Sequence, residues 1–162
     1  VVHDLRKPLP WVTGSADAIY TSHTLEHLDG AQGRRLIAEC HRVLKPGGVL
    51  RIVVPNLKGY VAEYERGQLP ATELLYELNV AGARGFGLRR DIFSLVSGGS
   101  HRCMYDGTTL SALLRDAGFK VRVCKPQESD IPDMDRFEPG PEKWTPEKLA
   151  RNLYLEGRKA AG

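Results

Sequence analysis

Apolar and β-branched residues fall in short runs along the chain, separated by stretches rich in proline, glycine and charge. The run Asp17-Ala-Ile-Tyr-Thr-Ser22 follows a segment punctuated by Pro8, Pro10 and Gly14, and reads as a buried strand. Asp29 with Gln32 three residues on has the form of a capping box, and Leu36, Ile37, Cys40, Val43 and Leu44 then recur at helical spacing. Lys45-Pro46-Gly47-Gly48 ends that helix. Residues 49–54, Val-Leu-Arg-Ile-Val-Val, are β-prone and stop at Pro55, which has no N–H for a ladder. Strand, helix and strand joined this tightly close as a parallel βαβ unit, with a right-handed crossover as the default.

The remainder is less regular. Two short helices are expected at about 60–65 and 71–80, leading into a stretch with Gly82, Gly85, Gly87, Gly98 and Gly99; residues 58–100 read as an insertion or lid. Thr108 is expected to cap a third helix with Leu110, Leu113, Leu114 and Ala117 on one face and Gly118 as its left-handed stop. A strand over 120–125 follows. Residues 127–146, rich in proline and acidic side chains, read as a long surface loop. In 152–159, Leu153 and Leu155 alternate with Tyr154 and Glu156, which favours a closing strand over a helix.

With 162 residues, 41% of them hydrophobic, the chain has the size of one domain able to bury a core. No apolar run is long enough to cross a bilayer, and the first ten residues lack the layout of a signal peptide. Cys40, Cys103 and Cys124 are an odd number without a close pair, so a disulfide framework is not expected and a reducing cytoplasm fits best. A net charge of +3, evenly interleaved, gives no reason to expect nucleic acid as a partner.

Three segments carry a resemblance. Asp17-Ala-Ile-Tyr-Thr-Ser-His-Thr-Leu-Glu-His-Leu28 and Glu39-Cys-His-Arg-Val-Leu-Lys-Pro-Gly-Gly48 resemble the fourth strand, fourth helix and turn into the fifth strand of class I S-adenosylmethionine-dependent methyltransferases. His101-Arg-Cys-Met-Tyr-Asp106, Ala117-Gly118-Phe119 and residues 153–159 continue it. The resemblance implies an α/β Rossmann-like sheet of family order 3-2-1-4-5-7-6 with flanking helices, present here as a single partial domain. Val1 to Asp4 would end the third strand, and the first two strands with their glycine-rich loop have no counterpart. Gly82 to Gly87 does not stand in for that loop, because it does not open a compact strand-turn-helix. A fourth strand without its neighbour would leave an apolar edge open to pairing with a second copy.

The implied cofactor is S-adenosylmethionine, and the implied reaction is methyl transfer to a small-molecule or saccharide-type acceptor. By resemblance, the Asp4 carboxylate accepts from the adenine amino group and Leu5 packs beside it or hydrogen-bonds by its backbone. Ser22 and His23 would lie against the methionine or ribose portion, at the carboxyl end of a strand, where open α/β sheets bind ligands. Without the glycine loop, this chain is expected to bind cofactor weakly.

His27 and His101 are the candidate general bases, since imidazole titrates near neutral pH. His23, Glu26 and His27 spell H-x-x-E-H; if residues 23–29 turn helically, the two histidines share a face. Such a set can bind a divalent metal and is similar to the E-x-x-E-H set of metal-dependent O-methyltransferases, with His101 as an added ligand, but His23 replaces the first Glu and a site-lining pair is the plainer reading. No metal is therefore expected. Arg84, Arg89, Arg90 and Arg102 could bind an anion or form a solvated face. A non-catalytic binding or dimerisation module is the alternative to the enzyme, and a nicotinamide oxidoreductase would need G-x-G-x-x-G opening a helix.

Overall fold

The computed structural model describes residues 1–78 and 101–161. Two parallel strands, β1 (Ala16–Ser22) and β2 (Leu44–Pro55), joined by α1 (Gly30–Val43), form the expected βαβ unit. The capping box is present: Asp29 accepts from the backbone N–H of Ala31 and Gln32, and Gln32 Oε1 accepts from Asp29 N–H at 3.1 Å. Leu36, Ile37, Cys40 and Val43 bury one face of α1. Leu44 differs from its expected place in the helix. It begins β2, paired with Ala16, while Ala18 pairs with Val49, so Lys45 to Gly48 bulge out of the ladder instead of preceding it.

β4 (Asn152–Lys159) lies antiparallel beside β2, and β3 (Phe119–Cys124) lies antiparallel beside β4. The sheet order is β1-β2-β4-β3, which matches 4-5-7-6 of the expected arrangement. Val1 and Val2 are fully exposed, and residues 1–4 form no strand, because among the described residues none pairs with the outer edge of β1.

α2 (Leu57–Glu65) starts a few residues earlier than the spacing suggests, and α3 spans Ala71–Glu77. The glycines from Gly82 to Gly99, together with Arg84, Arg89 and Arg90, lie outside the described residues. α4 (Gly107–Asp116) is capped by Asp106, whose carboxylate accepts from Thr109 N–H, and not by Thr108. Leu110 and Leu114 are fully buried against the core, and Gly118, at φ +94°, turns the chain into β3 as expected.

Helices α1 and α4 and the strand residues Leu50, Ile52, Val54 and Leu155 share one hydrophobic cluster. Alternation sends Arg51 and Glu156 to the opposite face of the sheet. There residues 127–146 do more than a surface loop would: Met134 and Glu138 are buried, and a short helix α5 (Pro146–Ala150) precedes β4. The physical reason is ionic. The fully buried Arg51 guanidinium holds both oxygens of Glu138 at 2.7 Å and donates to the carbonyls of Glu128 and Lys125. Among the described residues, no helix is long and apolar enough to cross a membrane.

Candidate active site

β1 ends at Ser22, paired with Val53, and His23 adds one more rung by donating its backbone N–H to Val53 O at 2.9 Å. His23 then adopts φ +49°, a left-handed conformation uncommon for a side-chain-bearing residue, and the chain leaves the sheet. Thr24 Oγ1 donates to Ser22 O, and a single tight turn, Leu25–His27, follows with Leu25 anchored in the core. At Leu28 the chain is already extended. The shared helical face expected for His23 and His27 therefore does not form. Glu26 links the two instead, with Oε1 3.4 Å from His23 Nδ1 and 3.9 Å from His27 Nε2.

His101, 74 positions beyond His27 in sequence, joins this group by a backbone device. The Glu26 carbonyl accepts from Arg102 N–H at 2.7 Å and from Cys103 N–H at 3.1 Å, which brings the His101 ring within 5.2 Å of the His27 ring. Burial pushes the His101 imidazole below its ordinary pKa; the Glu26 carboxylate opposes this, and His27 and His23 reinforce it. The same segment is tied to the end of β2, because Leu57 N–H donates to Tyr105 O at 3.0 Å.

Tyr105 is a buried residue whose place no periodicity announces; burial pushes its phenol upward. Besides the resemblance of residues 101–106, its signal is Gly33 in mid-helix. A Cβ there would lie 3.3 Å from Tyr105 Oη and 3.5 Å from Leu25 Cδ1, so a larger residue would force the tyrosine or the turn to shift.

The expected cofactor residues are divided. Leu5 and Ser22 line one cavity of about 470 Å³, together with Tyr20, Leu25 and Ile37. Consecutive residues from Ala18 to Ser22 line it although they point to alternate faces, so the cavity follows the unpaired edge of β1. Asp4 and His23 do not line it. The Asp4 carboxylate is engaged by the Arg6 guanidinium at 2.8 and 2.9 Å and also accepts from Arg6 N–H, which holds its pKa down to about 2. His27 and His101 stand together at the carboxyl end of the parallel strands.

Residues 1–52 match a family described as a methyltransferase domain. Over 52 residues the chain is 40% identical to an uncharacterized methyltransferase of Synechocystis, a match covering 32% of this chain and 24% of that protein. An S-adenosylmethionine-dependent methyltransferase from Archaeoglobus fulgidus superposes with a TM-score of 0.56 at 16% identity, over 98% of this chain and 66% of that one. An O-methyltransferase family protein from Burkholderia thailandensis does so with a TM-score of 0.51 at 18% identity, over 99% of this chain and 35% of that one. The chain thus spans only part of the length of the proteins it matches. Its first third is similar in sequence to a methyltransferase domain, and its fold throughout is the Rossmann-like fold of S-adenosylmethionine-dependent methyltransferases.

Proposed function

We propose that the chain belongs to an enzyme that transfers the methyl group of S-adenosylmethionine to a small-molecule or saccharide-type acceptor. The observation that carries this reading is the match of residues 1–52 to a methyltransferase domain, which includes Asp4, Leu5, Ser22 and His23. The cavity suits the cofactor in part. Its volume is in the range of small-ligand pockets, and its lining is mainly apolar with Ser22 at one end. Asp4 fits once its carboxylate exchanges Arg6 for the adenine amino group.

S-adenosylmethionine supplies a methyl already activated on a sulfonium. What remains for the protein is alignment of the acceptor and removal of its proton. His27 and His101 serve that second need, with Glu26 beside them to stabilise an imidazolium once the acceptor N–H or O–H has given up its proton. Free cysteines fit a cytoplasmic setting, and the modest charge fits a partner other than nucleic acid.

Calorimetric titration of the chain with S-adenosylhomocysteine tests the donor site, at concentrations that detect a Kd of about 1 mM, some −4 kcal/mol. Saturable, weak binding that weakens further in Asp4→Asn is expected. No heat up to that limit removes the donor site from this chain.

The free edge of β1 favours a second reading, a module that self-associates. Among the described residues the outer edge of β1 is unpaired, and beside an apolar cavity such an edge offers both ladder hydrogen bonds and buried area to a second copy. Sedimentation separates the two readings: a monomer across the micromolar range removes the self-association.

A further inference from the structure

We propose that Glu26, His27 and His101 form a binding site for a divalent transition-metal ion. One ligand atom from each of the three lies within 4.8 Å of the others. Around an ion with bonds of about 2.0–2.2 Å, ligand atoms stand roughly 3–3.5 Å apart, so side-chain shifts of about 1–2 Å assemble the set. His27 and His101 are half-buried and have room for such rotation; the Glu26 side chain is fixed in the interior.

Two independent features point to a ligand rather than to a packed histidine pair. The Glu26 carboxylate is wholly buried, yet neither oxygen accepts a hydrogen bond from any described residue. A bare buried carboxylate costs several kcal/mol unless a cation compensates it, and the His23 and His27 nitrogens at 3.4 and 3.9 Å are too distant to do so by hydrogen bonding. His101 Nδ1 is likewise buried and without a partner among the described residues. Both orphaned groups belong to one cluster, and a divalent ion at its centre satisfies them together.

The architecture around the set is built to hold it. The tight turn Leu25–His27 presents Glu26 and His27 from one strand end, and the two N–H bonds to the Glu26 carbonyl fix the segment carrying His101. Two imidazole nitrogens and one carboxylate oxygen suit zinc, manganese or iron(II) and leave coordination positions open. His23 Nδ1, 3.4 Å from Glu26 Oε1, stands at the margin of the set.

The inference rests on the methyl-transfer reading given above and revises its acceptor side. With the ion bound, His27 and His101 are ligands instead of bases. The favoured acceptor is then one with an ionisable oxygen: coordination would acidify its O–H, the proton leaves to solvent, and the oxygen keeps the electron pair that attacks the methyl carbon of S-adenosylmethionine as the carbon–sulfur bond breaks and S-adenosylhomocysteine leaves.

Titration of the chain with Co2+, followed by its visible absorption and by competition with Zn2+, tests the site without any cofactor present. It is therefore independent of the S-adenosylhomocysteine titration. Saturable binding of one ion per chain is expected, weakened by about tenfold or more in both Glu26→Gln and His101→Asn. Circular dichroism checks that each variant is folded; should Glu26→Gln unfold, His101→Asn, outside the strands and helices, decides alone. Absence of saturable Co2+ binding, or binding equal in wild type and His101→Asn, overturns the proposal.

Discussion

Arg51 and Glu138 stand 87 positions apart in the chain and meet as a two-pronged ion pair, with Nε and one terminal nitrogen of the arginine each 2.7 Å from a carboxylate oxygen. Both side chains are almost completely excluded from water. Glu156 stands 3.7 Å from the same guanidinium and is shared with Arg122, while the Tyr154 ring lies 5.4 Å below it. This pair is what closes the second face of the sheet, across from the helices.

Breaking the pair from one side leaves a buried charge. Glu138→Gln is expected to lower unfolding stability by about 3–5 kcal/mol, read as a fall in the urea midpoint. The double variant Arg51→Met, Glu138→Leu removes both charges and is expected to recover most of that loss. A midpoint for Glu138→Gln within error of wild type would contradict the central role of the pair.

The Asp4 carboxyl carries its own signature. The hydrogen bonds from Arg6 hold its pKa down to about 2, against an ordinary 3.8. Because the folded value is depressed, whatever the pair contributes is present above pH 3.8 and is lost as pH falls toward 2; at so exposed a site the contribution to stability is small. An NMR titration should place the carboxyl carbon's midpoint near 2 in wild type and return it to the ordinary range in Arg6→Gln. Equal S-adenosylhomocysteine affinity in wild type and Asp4→Asn would remove this residue from the cofactor site.

His41 is expected to make the fold sensitive to mild acid. Its ring meets Phe119 edge-on at 4.9 Å, and burial, assisted by the Lys159 ammonium, lowers its pKa from 6.5. The unfolded chain therefore takes up the proton first. Its contribution is complete above pH 6.5 and is lost as pH falls through 6.5 toward the folded value. His41→Gln should flatten the decline of Tm between neutral and mildly acid pH; an unchanged slope would assign the decline elsewhere.

Gly157 in β4 has no room for a side chain. A Cβ there would lie 2.9 Å from Phe119 Cγ and 3.0 Å from Phe119 Cβ. Gly157→Ala is expected to cost about 1–3 kcal/mol by overpacking. Phe119→Leu in the same background should return part of it, and strictly additive effects would mean that the two positions do not touch.

The helical elements were readable where local chemistry is sufficient. Asp29 and Gln32 satisfy the first free N–H groups of α1 from within four residues, and Gly118 stops α4 because a left-handed backbone favours glycine. Elsewhere tertiary competition overrides local preference. Leu44 has helical spacing, but a parallel partner in Ala16 takes it into β2; Thr108 stands in a capping position, but Asp106 reaches Thr109 N–H first.

In the site, the residue types were legible and their arrangement was not. H-x-x-E-H names three side chains of ligand or base chemistry, yet spacing alone suggests a helical face. The structure supplies a single turn and places the Glu26 carboxylate, buried and without a hydrogen bond from any described residue, between two imidazoles.

By itself, then, the sequence determined the βαβ unit, its caps and stops, and the identity of the groups at the strand ends, because these depend on neighbours within one turn or one strand. Only the tertiary structure decided that His101 joins His27, that an arginine inside an apolar strand pins a distant acidic segment, and that the cavity follows an unpaired edge. Those relationships rest on charges and backbone groups far apart in the chain, and burial alone brings them close enough for their pairing to matter.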